Sequence, residues 1–124
     1  MLQQVFCDLM NNAIQAMSHG GKIDIWVKSV ASDHQFDDGK YMIKVSDTGV
    51  GIDQKHLNKI FDPFFTTKDE GKGTGLGLST VYLILEKHKG TISVESQLGK
   101  GTTFTITIPL DAFKEKVKIH LPAP

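Results

Sequence analysis

The chain lacks the features that mark several large protein classes. None of its apolar runs approaches the roughly 18–20 residues of a membrane-spanning helix, and no signal-peptide pattern opens it. It has one cysteine, Cys7, so an internal disulfide is excluded. Cys7 sits beside Phe6 in an apolar helical pattern, which predicts a reduced, partly buried thiol. The 14 basic and 14 acidic residues cancel to a formal charge of zero and are mixed along the chain. The one-sided basic field that nucleic-acid binding needs is therefore missing. No internal repeat is present. What remains is a soluble domain, expected in the cytoplasm, whose 124 residues give room for one sizeable core.

Periodicity supplies the elements. Leu2, Val5, Phe6, Leu9, Ala13, Ala16 and Met17 recur at three- and four-residue steps, predicting an amphipathic helix over 2–17 that Gly20-Gly21 ends. It starts at once, with no N-cap, which suggests a sequence cut from inside a longer protein. Ile23, Ile25 and Val27 alternate with Asp24, Trp26 and Lys28, the pattern of a half-buried strand. Residues 31–39 read as a polar hairpin connection. Tyr41, Ile43 and Val45 predict a second strand running into Asp47. Asp53 caps a short helix over 53–61, with Leu57, Ile60 and Phe61 facing inward.

Residues 62–73, rich in glycine and mixed charge, read as a mobile loop. Thr74 can cap a further helix whose stripe is Leu78, Val81, Tyr82 and Leu85, stopped by Gly90. Two strands follow, Thr91 to Ser96 and Thr102 to Leu110, joined by the turn 97–101. The tail after Asp111 is expected to be loose. The fold class is α+β: a two-layer α/β sandwich, a mainly antiparallel sheet with helices on one face.

Three segments carry candidate chemistry. Asp47 follows Tyr41, Ile43 and Val45 at period two, so its carboxylate points to the face that those residues bury. Such a carboxylate needs hydrogen-bond donors. The exocyclic amine of adenine is one source, and a plain backbone turn is the other. Gly49 and Gly51 permit positive backbone dihedrals and close approach of a flat ring. The run from Gly71 to Ser79 enters a helix, where bare backbone N–H groups and the helix dipole make a phosphate site, or else it is a flexible linker. Lys68 and Lys72 add countercharge. The run fits neither a Walker A loop nor the strand-first G-x-G-x-x-G pattern. On the first helix, Asp8, Asn12 and Gln15 form a polar stripe. Its hard oxygen donors suit Mg²⁺ completed by phosphate oxygens and water, and a solvated helix face is the alternative.

Taken together and in order, these segments resemble the catalytic ATP-binding domain of sensor histidine kinases, within the GHKL ATPase superfamily. LMNNAIQAM (9–17) is similar to the asparagine box and DTGVGI (47–52) to the first glycine box. FDPFFTTK (61–68) is similar to the phenylalanine box, GKGTGLGLS (71–79) to the second glycine box, and GKGTTFTITIPL (99–110) to the last hairpin. LMNNAIQAM with FFTTK most resembles the nitrogen-regulatory and sporulation-type kinases.

The resemblance implies a Bergerat-type ATP-binding fold, N-terminally truncated because the strands before the asparagine box are missing, with one sheet edge exposed. It implies a catalytic domain over 1–113 and a loose tail over 114–124. It also implies roles for single residues. Asn12 would hold Mg²⁺, with Asp8 assisting through water. Asp47 would contact the adenine amine, and Ile52 the apolar floor beneath the base. Residues 62–73 would form an ATP lid anchored by Phe64 and Phe65, with Lys68 on the γ-phosphate. Lys72 and the backbone of Gly73, Thr74, Gly75, Leu76 and Gly77 would meet the phosphates.

The implied cofactors are ATP and Mg²⁺. The implied partners are ATP or ADP, a phosphoacceptor helical domain elsewhere in the protein and, indirectly, a response regulator; nucleic acid and membrane contact are not expected. None of the five histidines, His19, His34, His56, His88 and His120, lies in an H-E-x-x-N-P-like motif, so none is expected to be the phosphoacceptor. Asp8 stands where these kinases usually carry asparagine and where hydrolysing relatives carry a glutamate base, which raises slow ATP hydrolysis as a hypothesis. The alternatives are an ATPase of the gyrase or heat-shock type, or a nucleotide-binding docking module without catalysis.

Overall fold

A computed structural model describes residues 2–31, 39–65 and 77–110. The elements run α1 (Leu2–Ala16), β1 (Ile23–Val30), β2 (Lys40–Asp47), a single 3-10 turn (Gln54–His56), α2 (Gly77–Lys87), β3 (Thr91–Gln97) and β4 (Gly101–Pro109). The strands form one sheet in the order β1-β2-β4-β3, and every neighbouring pair is antiparallel. Both helices pack on one face, giving the two-layer α+β sandwich that the periodicity predicts.

Cross-strand register sorts the side chains, because directly opposed residues share a face. Val94, Phe104, Val45 and Ile25 form one row on the helix-facing side of the sheet, and Ile92, Ile106, Ile43 and Val27 the next. Val5 and Leu9 of α1 and Val81, Ile84 and Leu85 of α2 close over these rows. Each fully buried aliphatic side chain contributes about 1.5–3 kcal/mol from the area it removes from water.

Four expectations need correction. β1 is exposed along nearly its whole length, with Ile25 at 56 % and Val27 at 59 % relative exposure. It is an edge strand, and the two helices cover the sheet only as far as β2; alternation reports which face a residue takes and not whether anything lies over it. The segment after Asp53 is shorter than a helix over 53–61. The Asp53 carboxylate does accept from the Lys55 N–H at 3.1 Å, but the bonds that follow are all i to i+3, from His56 to Asp53, Leu57 to Gln54, Lys59 to His56 and Asp62 to Lys59. Such bonds wind a tight, irregular run that buries Ile60 and half-buries Leu57 and Phe61. On α2, Ile84 takes the buried place expected of Tyr82, whose ring tilts against Phe61 at the margin of the core. Cys7, in turn, is exposed on α1, on the side turned away from the sheet.

The end of α2 is a Schellman motif. Lys89 N–H donates to the Glu86 carbonyl and Gly90 N–H to the Leu85 carbonyl, with Lys89 at φ +59. Gly90 is needed for space: a Cβ there would lie 2.6 Å from the Thr107 carbonyl oxygen. His88 supports the same turn, its Nδ1 donating to the Ile84 carbonyl at 2.8 Å.

Candidate functional site

At one end of the sheet the apolar rows give way to a polar one. Ser96 on β3, Thr102 on β4 and Asp47 on β2 are successive cross-strand partners, and all three face the helices. Asp47 and Thr102 are 8 % and 6 % exposed. Burial of a carboxylate is costly without donors. The chain supplies one in the turn that follows: Gly49 N–H donates to Asp47 Oδ1 at 2.8 Å. The backbone-turn reading of Asp47 is therefore real for one oxygen, and Oδ2 lies outside that bond.

The turn 47–51 is fastened on two sides. Val50 N–H donates to the Ala16 carbonyl at the end of α1 (3.0 Å), and Gly99 N–H donates to the Val50 carbonyl (2.8 Å). The glycines serve these close approaches. Gly49 does not take a positive φ; a Cβ on it would lie 2.6 Å from the Ala16 carbonyl oxygen. Gly51 does, at φ +77, and a Cβ there would collide with the Gln97 carbonyl. The expected positive dihedral therefore holds for Gly51 and not for Gly49. What crowds them is the chain's own backbone.

Ser96 joins the two turns. Its Oγ accepts from the Ile52 N–H at 2.7 Å, donates to the Gly101 carbonyl at 2.9 Å and meets Thr102 Oγ1 at 2.8 Å. Gln54 Nε2 adds a bond to the Ser96 carbonyl at 2.7 Å. Neither Ser96 nor Thr102 is singled out in the sequence as a site residue. The available signal is period two: Thr102 continues Ile108, Ile106 and Phe104 on the buried face, as Asp47 continues Tyr41, Ile43 and Val45.

Across from this row, α1 carries Asp8 and Asn12, both half-buried. Asp8 Oδ1 accepts from Gln4 Nε2 at 2.9 Å, one turn earlier. The start of α2 faces it, since a Cβ placed on Gly77 would be 4.0 Å from the Asp8 carboxyl carbon. An acid at a helix N-terminus is favourably placed in the dipole field. The structure thus sets Asp8 beside Gly77 at the α2 start, and holds the turn with Asp47, Gly49 and Gly51 against Ala16 at the end of α1, one turn after Asn12. Lys68, Lys72, Gly73, Thr74, Gly75 and Leu76 lie outside the described residues, as do most of 62–73, His34 and His120.

The phenylalanine pair divides. Phe65 packs against the core and stacks at a tilt on His56, with ring centroids 5.4 Å apart. Phe64 is 73 % exposed at φ +67, a backbone region costly for an aromatic residue. Only Phe65 anchors this end of the segment, which corrects the expectation for Phe64. The described residues contain no cluster of three or more His, Cys, Asp or Glu side chains. No helix among them is long and apolar enough to cross a membrane.

Known proteins resemble this chain in sequence and fold. Sporulation kinase E of Bacillus subtilis is 43 % identical over 109 residues, covering 88 % of this chain and 14 % of its own length. The catalytic domain of histidine kinase ThkA, nucleotide free, superposes with a TM-score of 0.70 at 38 % identity, over 87 % of this chain and 65 % of that one. Full-length ShkA in complex with AMPPNP gives a TM-score of 0.72 at 27 % identity, over 87 % of this chain and 21 % of that one. The chain spans only a small part of such full-length kinases. A family profile described as histidine kinase-, DNA gyrase B-, and HSP90-like ATPase matches residues 1–112, and the chain belongs to that family.

Proposed function

We propose that this chain binds Mg-ATP between α1 and the polar end of the sheet and presents the γ-phosphate to a histidine on a separate helical phosphoacceptor domain, within two-component signalling. The observation that carries the reading is Asp47. Its buried carboxylate commits Oδ1 to its own turn, and Oδ2 would accept from the 6-amino group of adenine. The AMPPNP held by ShkA supports a nucleotide of this kind.

Asn12 would hold Mg²⁺ through its amide oxygen, and Asp8 would assist through water. With no larger donor cluster among the described residues, the ion would depend on nucleotide oxygens and water for most of its shell, a usual arrangement for Mg²⁺. The ion would neutralise charge on the phosphates. Ile52 would lie against the base, and Gly77 with the run 71–76 would meet the phosphates at the α2 start. Lys68 would reach the γ-phosphate. Phosphoryl transfer asks the protein mainly for positioning and charge neutralisation, so this chain needs no nucleophile of its own.

The test has two stages. Thermal stability is followed during titration with ATP and ADP, with and without Mg²⁺, and a shift that rises with concentration is expected. Labelled ATP is then added with and without a phosphoacceptor domain in trans. Label on that domain alone supports the proposal; label on His19, His56 or His88 of this chain, or no nucleotide binding at all, overturns it.

A further inference from the structure

A thioether joins the end of α1 to the turn 47–51. Thr48 Oγ1 donates to Met17 Sδ at 3.7 Å and accepts from the Lys22 N–H at 2.9 Å. The Thr48 N–H donates in turn to the Lys22 carbonyl at 3.2 Å. The thioether also meets Gly21, where a Cβ would lie 2.5 Å from Sδ and 2.7 Å from Thr48 Oγ1. The sulfur is therefore in contact with the bare backbone of Gly21 and with the hydroxyl of the residue that follows Asp47. Met17 is half-buried, at the start of a connection whose residues 18–22 are all exposed. Of the other described methionines, Met10 packs against the core, and Met42 is paired with Lys28 and Thr107 within the sheet.

We infer that Met17 is an oxidation site whose state governs the seating of the turn 47–51. The oxidant is a peroxide. A sulfur lone pair takes one oxygen atom from hydrogen peroxide, the S–O bond forms as the O–O bond breaks, and the remaining oxygen leaves as water. The sulfur is oxidised by two electrons and the peroxide is reduced by two. The sulfoxide is bulkier and far more polar than the thioether. One sulfur lone pair already accepts the Thr48 hydrogen; oxygen set there would leave less than a hydrogen bond's length to Oγ1, and Thr48 would have to give way. Oxygen on the other lone pair places a strong dipole in a half-buried contact, which costs free energy until the side chain swings out to water. The close approach to Gly21 leaves little room for a shift inward. Either movement breaks the Thr48–Met17 contact and loosens a turn whose other tie to α1 is the bond from Val50 N–H to the Ala16 carbonyl. The effect on nucleotide affinity rests on the pocket reading proposed above, whereas the effect on stability does not.

The test treats the folded chain with hydrogen peroxide, locates the added oxygen by peptide mass mapping, and follows melting temperature and ATP affinity before and after. Met17→Leu is the control, a nearly volume-conserving change that removes the sulfur. The wild type is expected to gain one oxygen on Met17, to melt roughly 5 °C lower and to bind Mg-ATP about fivefold more weakly, the worth of roughly one hydrogen bond. Methionine sulfoxide reductase should restore both readings. Met17→Leu should keep both through the same treatment, although Met10 and Met42 can still react. Equal losses in Met17→Leu overturn the inference, as does a Met17 sulfoxide that leaves both readings unchanged. Failure of Met17 to react in the folded chain overturns it too. If the untreated chain binds no ATP, the pocket reading fails by itself, and the melting temperatures alone decide the role of Met17.

Discussion

Asp47 and Thr102 are direct cross-strand partners, both more than nine-tenths buried, beside rows of aliphatic side chains. Two buried polar groups in that position are stable only with their hydrogen bonds made. The chain makes them with one backbone N–H and one serine. That arrangement motivates the first expectation.

Asp47→Asn retains an oxygen for the Gly49 N–H and so should fold normally. It replaces the other oxygen with a donor, which would face the donor of the base. Affinity for ATP should drop at least about tenfold, and the thermal shift produced by ATP should vanish while the unliganded melting temperature moves by no more than a few degrees. Calorimetric titration beside the melting curve checks both halves.

Asp8→Asn tests whether the carboxylate on α1 is a hydrolytic base. Asp8 Oδ1 is already engaged by Gln4 one turn away, and the side chain is a methylene shorter than glutamate. Basal ATP hydrolysis should therefore change by less than about twofold, since a positioned general base contributes far more than that. A phosphate-release assay gives the number; a loss of a hundredfold would assign Asp8 the catalytic role and favour the ATPase reading.

Gly101 and Gly99 both sit at positive φ, at +121 and +80, but in different surroundings. A Cβ on Gly101 would collide with the Asp47 carbonyl, whereas nothing lies within 4 Å of one on Gly99. Gly101→Ala should cost more than about 2 kcal/mol, or roughly 10 °C in melting temperature, because strain and collision add. Gly99→Ala should cost only about 1 kcal/mol, from the left-handed backbone alone. Chemical denaturation of the pair separates the two contributions.

Ile25 and Val27 are more than half exposed on β1, the edge strand of the sheet among the described residues. Edges of this kind promote strand pairing between copies. Replacing both by lysine should change stability by less than about 1 kcal/mol in total, as exposed substitutions usually do. Self-association at high concentration, read by sedimentation, should fall.

The helix α1, the ends of β2 and the Asp53 cap are all legible in the sequence, because each follows from spacing or from a local side chain–backbone bond. Helix and sheet in alternation suffice for the layer architecture. Coverage is not legible: the alternation in β1 is as clean as in β2, and only its place at the edge exposes it. Thr102 and Ser96 were hidden for a related reason. They lie in hydroxyl-rich strands, and the register that sets them beside Asp47 is a non-local property. Gly49 and Gly51 stand out as turn glycines, but the backbone that crowds them, at Ala16 and Gln97, is distant in sequence and so not legible locally.

The turn 47–51 is secured through main-chain atoms, by Val50 N–H to Ala16 and Gly99 N–H to Val50, while the Val50 and Leu98 side chains are exposed. Sequence drift can therefore alter Val50 and Leu98 freely without disturbing the geometry, while Gly49, Gly51 and Gly101, each of which would drive a Cβ into backbone, stay locked. Saturation mutagenesis of 47–51 and 97–101 should return an alternating record of tolerance and intolerance. That record would mark the places where variation can change the outer surface of the pocket without changing the pocket.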